Sequence, residues 1–320
     1  MTGALRLDGQ VAVVTGAGGG LGRAYALELA ARGAAVVVND IAAEAAAEVV
    51  AAIVGAGGHA QADSASVADP AGCQHLAQAA IDRFGRIDGL VLNAGTIRVA
   101  PFPQTRAEDL ESLLAVHLGG SFHLAQAAWP AMVAQGHGRI VFTTSSAGML
   151  GMPQLSAYGA AKGAVAGLMG VLAEEGRAHG ITCNAVMPNA ASGMAREVAR
   201  SAQDGSGLGG NPWVAGAHAT FDPAFTAGLV AWLLHPDCGS THAIYSAAAG
   251  RIGRVFTGVT DGWHGPLDRP PTMDEIAGAW DRINAVEADF CMPANAYDEF
   301  RHVAARRPGP APGALSGVDG

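Results

Sequence analysis

Tyr158 and Lys162 stand four residues apart in AYGAAKGAVAGLMG, a stretch with helical periodicity, so their side chains share one face a turn apart. A phenol beside an ammonium is a proton-transfer pair. The opposite charge favours the phenolate and makes the tyrosine usable as a general base near neutral pH. Thirteen residues before the tyrosine, Ser145 closes the run GRIVFTTSS, where it can hydrogen-bond a substrate hydroxyl or carbonyl oxygen. A tyrosine–lysine pair alone also arises by chance on a helix; the serine spacing and an upstream glycine turn set this one apart.

That turn is TGAGGGLG, residues 15–22, between the apolar run VAVVT and a helical segment. Gly16 permits a tight turn, Gly20 lets the backbone approach a pyrophosphate, and Gly22 allows close helix packing. The helix N-terminus that follows offers unpaired N–H groups to phosphates. The run AVVVND ends in Asp40, about 20 residues past the glycine turn, where a carboxylate can accept hydrogen bonds from ribose hydroxyls and repel the extra phosphate of NADP. Asp40 can equally cap the segment beginning at Ile41, and the two roles are compatible. NAD is therefore the expected cofactor over NADP.

LLAVHLGGSFHLA, residues 113–125, carries two histidines in an otherwise apolar stretch. Leu113, His117, Gly120 and Leu124 fall on one helical face. His117 reads as a buried structural residue, a metal ligand or part of a site, and the stretch alone leaves these open. His123 lies off that face and reads as structural.

The elements that must position these residues alternate. Short β-branched runs at 11–15, 35–40, 59–63, 87–95, 138–146, 181–188 and 242–247 are separated by helical segments at 21–33, 41–57, 69–84, 106–135, 157–178 and 223–235. This predicts an α/β, doubly wound Rossmann fold with about seven parallel strands and helices on both faces. The pattern breaks near residue 250. Expected boundaries are a Rossmann domain over 1–250, a C-terminal helical extension over 251–305 packing on it, and a flexible Pro/Gly-rich tail over 306–320. One helix is expected within 269–290, with Thr272 as N-cap and Glu275 three residues on.

Composition excludes several classes. A chain of 320 residues with 50% hydrophobic and 15% charged residues is globular in type. A net charge of −9 without a basic stripe argues against nucleic acid. Cys73, Cys183, Cys238 and Cys291 have neither metal nor redox spacing. No metal is expected, since no HExxH or paired-carboxylate cluster occurs. No signal peptide, membrane span or peroxisomal C-terminal address is seen, so a cytoplasmic location is expected.

TGAGGGLG, LNAG at 92–95, Ser145 and YGAAK at 158–162 together resemble the short-chain dehydrogenase/reductase family over about residues 7–250. The resemblance implies hydride transfer between a nicotinamide and a carbonyl or secondary alcohol. It implies Tyr158 as acid/base, Lys162 as the group that lowers its pKa and holds the nicotinamide ribose, and Ser145 as orienter of the substrate oxygen. Cofactor contacts fall on Gly16, Gly20, Leu21, Gly22, Asp40, Asn93, Gly95, Tyr158 and Lys162, with Asp63 and Ser64 at the adenine and Pro188 toward the nicotinamide. His117 occupies the position where the family commonly has an asparagine. It would either brace the helix through backbone carbonyls or continue a proton path from Lys162 to solvent.

VHLGGSF (116–122), AAWPAM (127–132), MPNAASGM (187–194) and LVAWLLHPDC (229–238) are similar to a narrower group. It comprises the (3R)-hydroxyacyl-CoA dehydrogenase units of multifunctional β-oxidation enzymes, which also count as 17β-hydroxysteroid dehydrogenases. No hydratase or sterol-carrier segment follows within this sequence, so a stand-alone dehydrogenase is expected. The expected reaction is oxidation of a bulky, mostly apolar secondary alcohol to a ketone. A 17β-hydroxysteroid is placed slightly ahead of a (3R)-hydroxyacyl-CoA, for whose phosphates Arg98, Arg196, Arg251 and Arg254 are the scattered candidates. A homodimer or homotetramer through the helices of 106–135 and 157–178 is implied, and residues 193–213 read as a lid. The competing class is a non-catalytic dinucleotide-binding scaffold or sensor, which usually lacks the tyrosine or the lysine.

Overall fold

The computed structural model describes residues 5–190, 194, 197, 222–248, 250–286, 290–293, 298, 302 and 305. Its sheet contains β1 (Val11–Thr15), β2 (Ala35–Asn39), β3 (His59–Asp63), β4 (Gly89–Leu92), β5 (Gly138–Thr143), β6 (Ile181–Asn189), β7 (Ala243–Ala248) and β8 (Arg251–Val255). The strand order is β3-β2-β1-β4-β5-β6-β7-β8. The first seven strands run parallel, as the sequence pattern predicts. The eighth, antiparallel to β7 with Ala248 opposite Arg251, was not expected. Arg251–Val255, with two arginines and a glycine among its five residues, does not read as a strand, and it exists because the tight turn at Gly250 (φ +81°) folds it back onto β7. The first compact unit therefore ends at Val255, five residues past the expected boundary at 250.

Helices α1 (Gly20–Ala31), α2 (Ala43–Gly55) and α8 (Ala224–Leu234) cover one face, and α3 (Pro70–Phe84), α5 (Gly120–Gln135) and α7 (Ser156–Gly176) cover the other. The two-residue strand period divides the core between them. Val14, Val36, Val38, Val91, Val141 and Val186 join the first face; Val13, Val37, Leu90, Leu92, Ile140 and Phe142 join the second. Each such side chain, fully buried, stabilises by about 1.5–3 kcal/mol. Strand order reverses about β1, between β2 and β4, and the crevice at the carboxyl ends of these strands is where an open α/β sheet takes its ligand.

The expected helix over 106–135 is divided. α4 (Ala107–Leu114) passes through a π-helical turn, Ala115–Gly119, into α5. The Gly120 N–H reaches Ala115 O, which inserts one extra residue in the turn. Leu113, His117, Gly120 and Leu124 nevertheless stay on one buried face. The short helix α6 (Ser146–Met149) starts at Ser145.

In the second unit, Phe256–Gly320, the described residues of 269–290 form two short helices, Met273–Gly278 and Trp280–Asn284, where one was expected. The Thr272–Glu275 capping box is present, reinforced by Arg269 on Glu275. The proposed tail over 306–320 lies outside the described residues.

Candidate active site

The glycine turn is built from backbone. Gly16 has φ +62°, a conformation open to glycine, and a Cβ there would lie 2.8 Å from Ala94 Cα. A Cβ on Gly22 would overlap Gly16 O. Gly19 faces open space, and α1 begins there with no side-chain cap on its N–H groups. A cradle with no room for side chains beneath and free donors above fits a pyrophosphate. Leu21 is half-buried and packs onto the core of this face.

Two polar networks hold the cradle. Thr15 Oγ1 accepts from the N–H groups of Asn93 and Ala94, both at 3.0 Å, while Asn93 Nδ2 donates to Thr15 O at 2.9 Å. These bonds join the ends of β1 and β4. Asp40 accepts from Gly18 N at 2.9 Å and from Ala42 N at 3.0 Å. It thus ties the glycine turn to the start of α2. The helix itself begins at Ala43 rather than Ile41. Asp63 accepts from Asn39 Nδ2 and Ala65 N, with His75 3.5 Å away. Ser64 is exposed beside it, and Pro188 lies near the end of β6, opposite Ala247.

At the same end of the sheet, α7 brings Tyr158 and Lys162 together, and both are buried. Ile97, Leu113, Ala147, Leu155, Ala157 and Ala161 form an apolar wall around Tyr158. That burial raises the phenol pKa, and a hydrogen bond with the Ser145 side chain opposes it. Ser145 Oγ also accepts from Ala147 N at 3.2 Å, which fixes the serine at the start of α6.

Lys162 does not form the close charge pair with the phenol that helix spacing suggests. Its Nζ donates to Thr143 O at 2.7 Å and lies 5.9 Å from the Tyr158 ring centroid. Burial pushes its pKa down to about 7, so it is partly charged near neutrality. Lys162 is also the single lysine of the 320 residues, the other 18 basic side chains being arginine.

His117 is brought against Tyr158. The rings meet edge to face, with centroids 5.4 Å apart at 83°. Nε2 lies 2.7 Å from Thr96 O. Burial, and then the Lys162 charge, push the His117 pKa down to about 3. Gly95 makes the room, since a Cβ there would overlap the imidazole at Cε1. His123 is half-buried and meets only Phe122 edge to face among the ring contacts of the described residues.

Sequence reasoning missed Thr96, Thr143 and the hub role of Thr15. These act through backbone atoms or a lone hydroxyl, which carry no pattern; only Thr15, the first residue of the glycine motif, had a signal. Of the four arginines, Arg98 donates to Ile97 O and Thr96 Oγ1 near the site, whereas Arg251 and Arg254 are exposed on β8. Arg196, and the lid reading of 193–213 apart from Met194 and Glu197, lie outside the described residues.

A family model described as short chain dehydrogenase matches residues 10–203. The chain belongs to the short-chain dehydrogenase family. It is an oxidoreductase, and the family binds a nicotinamide dinucleotide. Over 283 residues it is 38% identical to a short-chain type dehydrogenase/reductase of Mycobacterium tuberculosis, covering 86% of this chain and 93% of that one. Over 299 residues it is 38% identical to peroxisomal multifunctional enzyme type 2 of Mus musculus, covering 88% of this chain. The chain spans only 38% of the mouse enzyme's length. The solved structure of NAD+-bound xylitol dehydrogenase matches with a TM-score of 0.70 and 32% identity, over 76% of this chain and 99% of that one. Among the described residues, no helix of this short-chain dehydrogenase is long and apolar enough to cross a membrane.

Proposed function

We propose that the chain is an NAD-dependent dehydrogenase that oxidises a bulky, mostly apolar secondary alcohol to a ketone, with Tyr158 as the acid/base. The observation that carries this is the convergence of Ser145, Tyr158 and Lys162 at the sheet end that holds the glycine turn. Gly16, Gly20, Leu21, Gly22, Asp40, Asp63, Ser64, Asn93, Gly95 and Pro188 would hold the dinucleotide. When bound, the oxidised nicotinamide supplies a hydride acceptor and a positive charge.

Ser145 Oγ holds the substrate oxygen beside the phenol. Tyr158 takes the hydroxyl proton as the carbinol hydrogen leaves as hydride. Lys162, fixed on Thr143 O, favours the phenolate in its charged form. The apolar wall excludes water and suits an apolar substrate. Asp40 at the turn supports NAD, as does the NAD+-bound xylitol dehydrogenase relative.

The sequence alone places a 17β-hydroxysteroid slightly ahead. Likeness to the mouse multifunctional enzyme extends over 88% of this chain, past the common Rossmann unit, and keeps a (3R)-hydroxyacyl-CoA as the close second substrate class. The scaffold reading is disfavoured because both reactive side chains are present and buried together. Exposed Phe122 on α5 and Val171 on α7 support a homodimer or homotetramer, which sedimentation velocity tests. A cytoplasmic location is part of the proposal, and the peroxisomal relatives give fractionation its alternative outcome.

NADH formation measured with a (3R)-hydroxyacyl-CoA and with a 17β-hydroxysteroid, in wild type and Tyr158→Phe, tests the reading. Activity on one class that disappears in the variant is expected. Full activity in Tyr158→Phe would overturn the mechanism.

A further inference from the structure

Four contacts converge on His117. The π-helical turn points it inward, and Ser121 Oγ locks the turn by donating to His117 O at 2.6 Å. Position 95 lacks the Cβ that would strike the ring. The ring edge packs on Tyr158. Thr96 O, at 2.7 Å from Nε2, is a closer partner than the Thr96 N–H at 3.3 Å, so the carbonyl fixes the ring proton on Nε2.

The other nitrogen is unusual. Nδ1 is fully buried with no hydrogen-bond partner among the described residues. A proton there would make an imidazolium in a site that already buries the Lys162 ammonium. The titratable groups facing it are Lys162 and Tyr158, both from α7, while Arg98 on the loop after β4 lies beyond Thr96 and is held toward Asp109. No carboxylate among the described residues acts on His117 to offset a second positive charge.

We propose that His117 is a positioning residue, a permanently neutral Nε2–H imidazole that pins the Thr96 carbonyl and holds the Tyr158 ring in place, and not a titrating member of a proton relay. Its donor fixes the loop leaving β4, and its ring fixes the reacting phenol. The inference rests on Tyr158 being the acid/base.

Two substitutions separate the functions of the imidazole. In His117→Gln the amide nitrogen can reproduce the Nε2 donor, but the ring is lost. In His117→Phe the ring remains and the donor is lost. Donor and ring both serve position, so His117→Gln and His117→Phe are each expected to lose about 10–100-fold in kcat, the scale of a small misplacement of reacting groups. Neither is expected to move the midpoints of the kcat–pH profile. An acid limb that vanishes in both variants would establish a relay and overturn the proposal.

The second measurement needs neither substrate nor a folded variant. In full-length wild-type protein, 15N NMR of histidine is expected to show one ring signal locked as the Nε2–H tautomer from pH 5 to 9. The single lysine gives one side-chain 15N signal in the same sample, which reports the neighbouring charge directly. A His117 ring that titrates in that range would sink the proposal. If no alcohol is oxidised, the functional reading fails while the tautomer result still decides the state of His117.

Discussion

The two halves of the ligand crevice are built on opposite electrostatic plans. On the side of β1, β2 and β3, Asp40 and Asp63 already have hydrogen-bond donors: Asp40 holds Gly18 and Ala42, and Asp63 holds Asn39 and Ala65. On the side of β5 and α7, Tyr158, Lys162 and His117 are buried without an opposite charge, and the pKa of each is displaced by desolvation. The first half is a scaffold that is satisfied as it stands. The second stores unfavourable burial at the reacting groups, the pattern expected where pKa values are tuned for proton transfer.

Lys162→Met breaks that contrast most severely. A methionine of similar length removes the ammonium, and kcat is expected to fall by about 10²–10⁴-fold, the usual scale for disabling acid–base catalysis. Stability is expected to change with pH. The folded lysine pKa, near 7, lies below its unfolded value, so the unfolded chain binds more protons between about pH 7 and 10. The burial penalty is fully present below pH 7 and disappears as pH rises toward 10. Thermal melts should therefore show the variant's stability relative to wild type falling by a few kcal/mol between pH 6 and pH 10, on top of a pH-independent loss of the bond to Thr143 O. A gap independent of pH would show that the ammonium is not desolvated.

Substitutions in the scaffold half should damage binding and leave chemistry intact. Gly22→Ala forces a Cβ against Gly16 O, and NAD affinity measured by calorimetry is expected to fall about 100-fold. Asp40→Ala should be milder. It removes the carboxylate that would repel a 2′-phosphate, so the NAD-to-NADP preference should narrow about tenfold, with kcat on saturating NAD little changed. A fall in kcat without a change in affinity would mean that the halves are coupled.

Gly95→Ala crosses between them. The added methyl meets the imidazole of His117, leaving the carboxylates of the scaffold untouched. Overpacking of this kind costs about 1–3 kcal/mol. A kcat decrease of about tenfold on saturating NAD is expected, because the displaced ring carries Tyr158 with it.

The same contrast explains what the sequence could reveal. The scaffold half rests on local backbone demands, and those leave residue types at fixed spacing: glycine at 16, 20 and 22, and an acid at 40. Strands β1, β2, β4, β5 and β6 were legible because burial on both faces leaves nearly continuous apolar runs. Strand β8 was not, since its pairing comes from a turn at Gly250 and not from its own apolar residues. In the reacting half, Tyr158, Lys162 and Ser145 were legible as a constellation, whereas their geometry was not. Spacing put Lys162 on the phenol's face; the fold sends its Nζ to Thr143 O. The π-helical turn was equally hidden, because one extra residue in a helix leaves the apolar face from Leu113 to Leu124 intact.

The smallest effect separates stored burial from ordinary packing at His117. Its folded pKa, near 3, lies below the unfolded value of 6.5, so the unfolded chain gains a proton that the native chain refuses as pH falls through 6.5. Stability attributable to this residue is complete above pH 6.5 and declines as pH falls toward 3. Replacing it with glutamine removes that slope. Urea titrations of wild type and His117→Gln should thus converge on acidification, with the wild type losing about 1–2 kcal/mol relative to the variant between pH 7 and 5. Parallel losses in the two proteins would mean that His117 accepts its proton in the folded state, and the reacting half would then hold one desolvated cation site fewer than its structure implies.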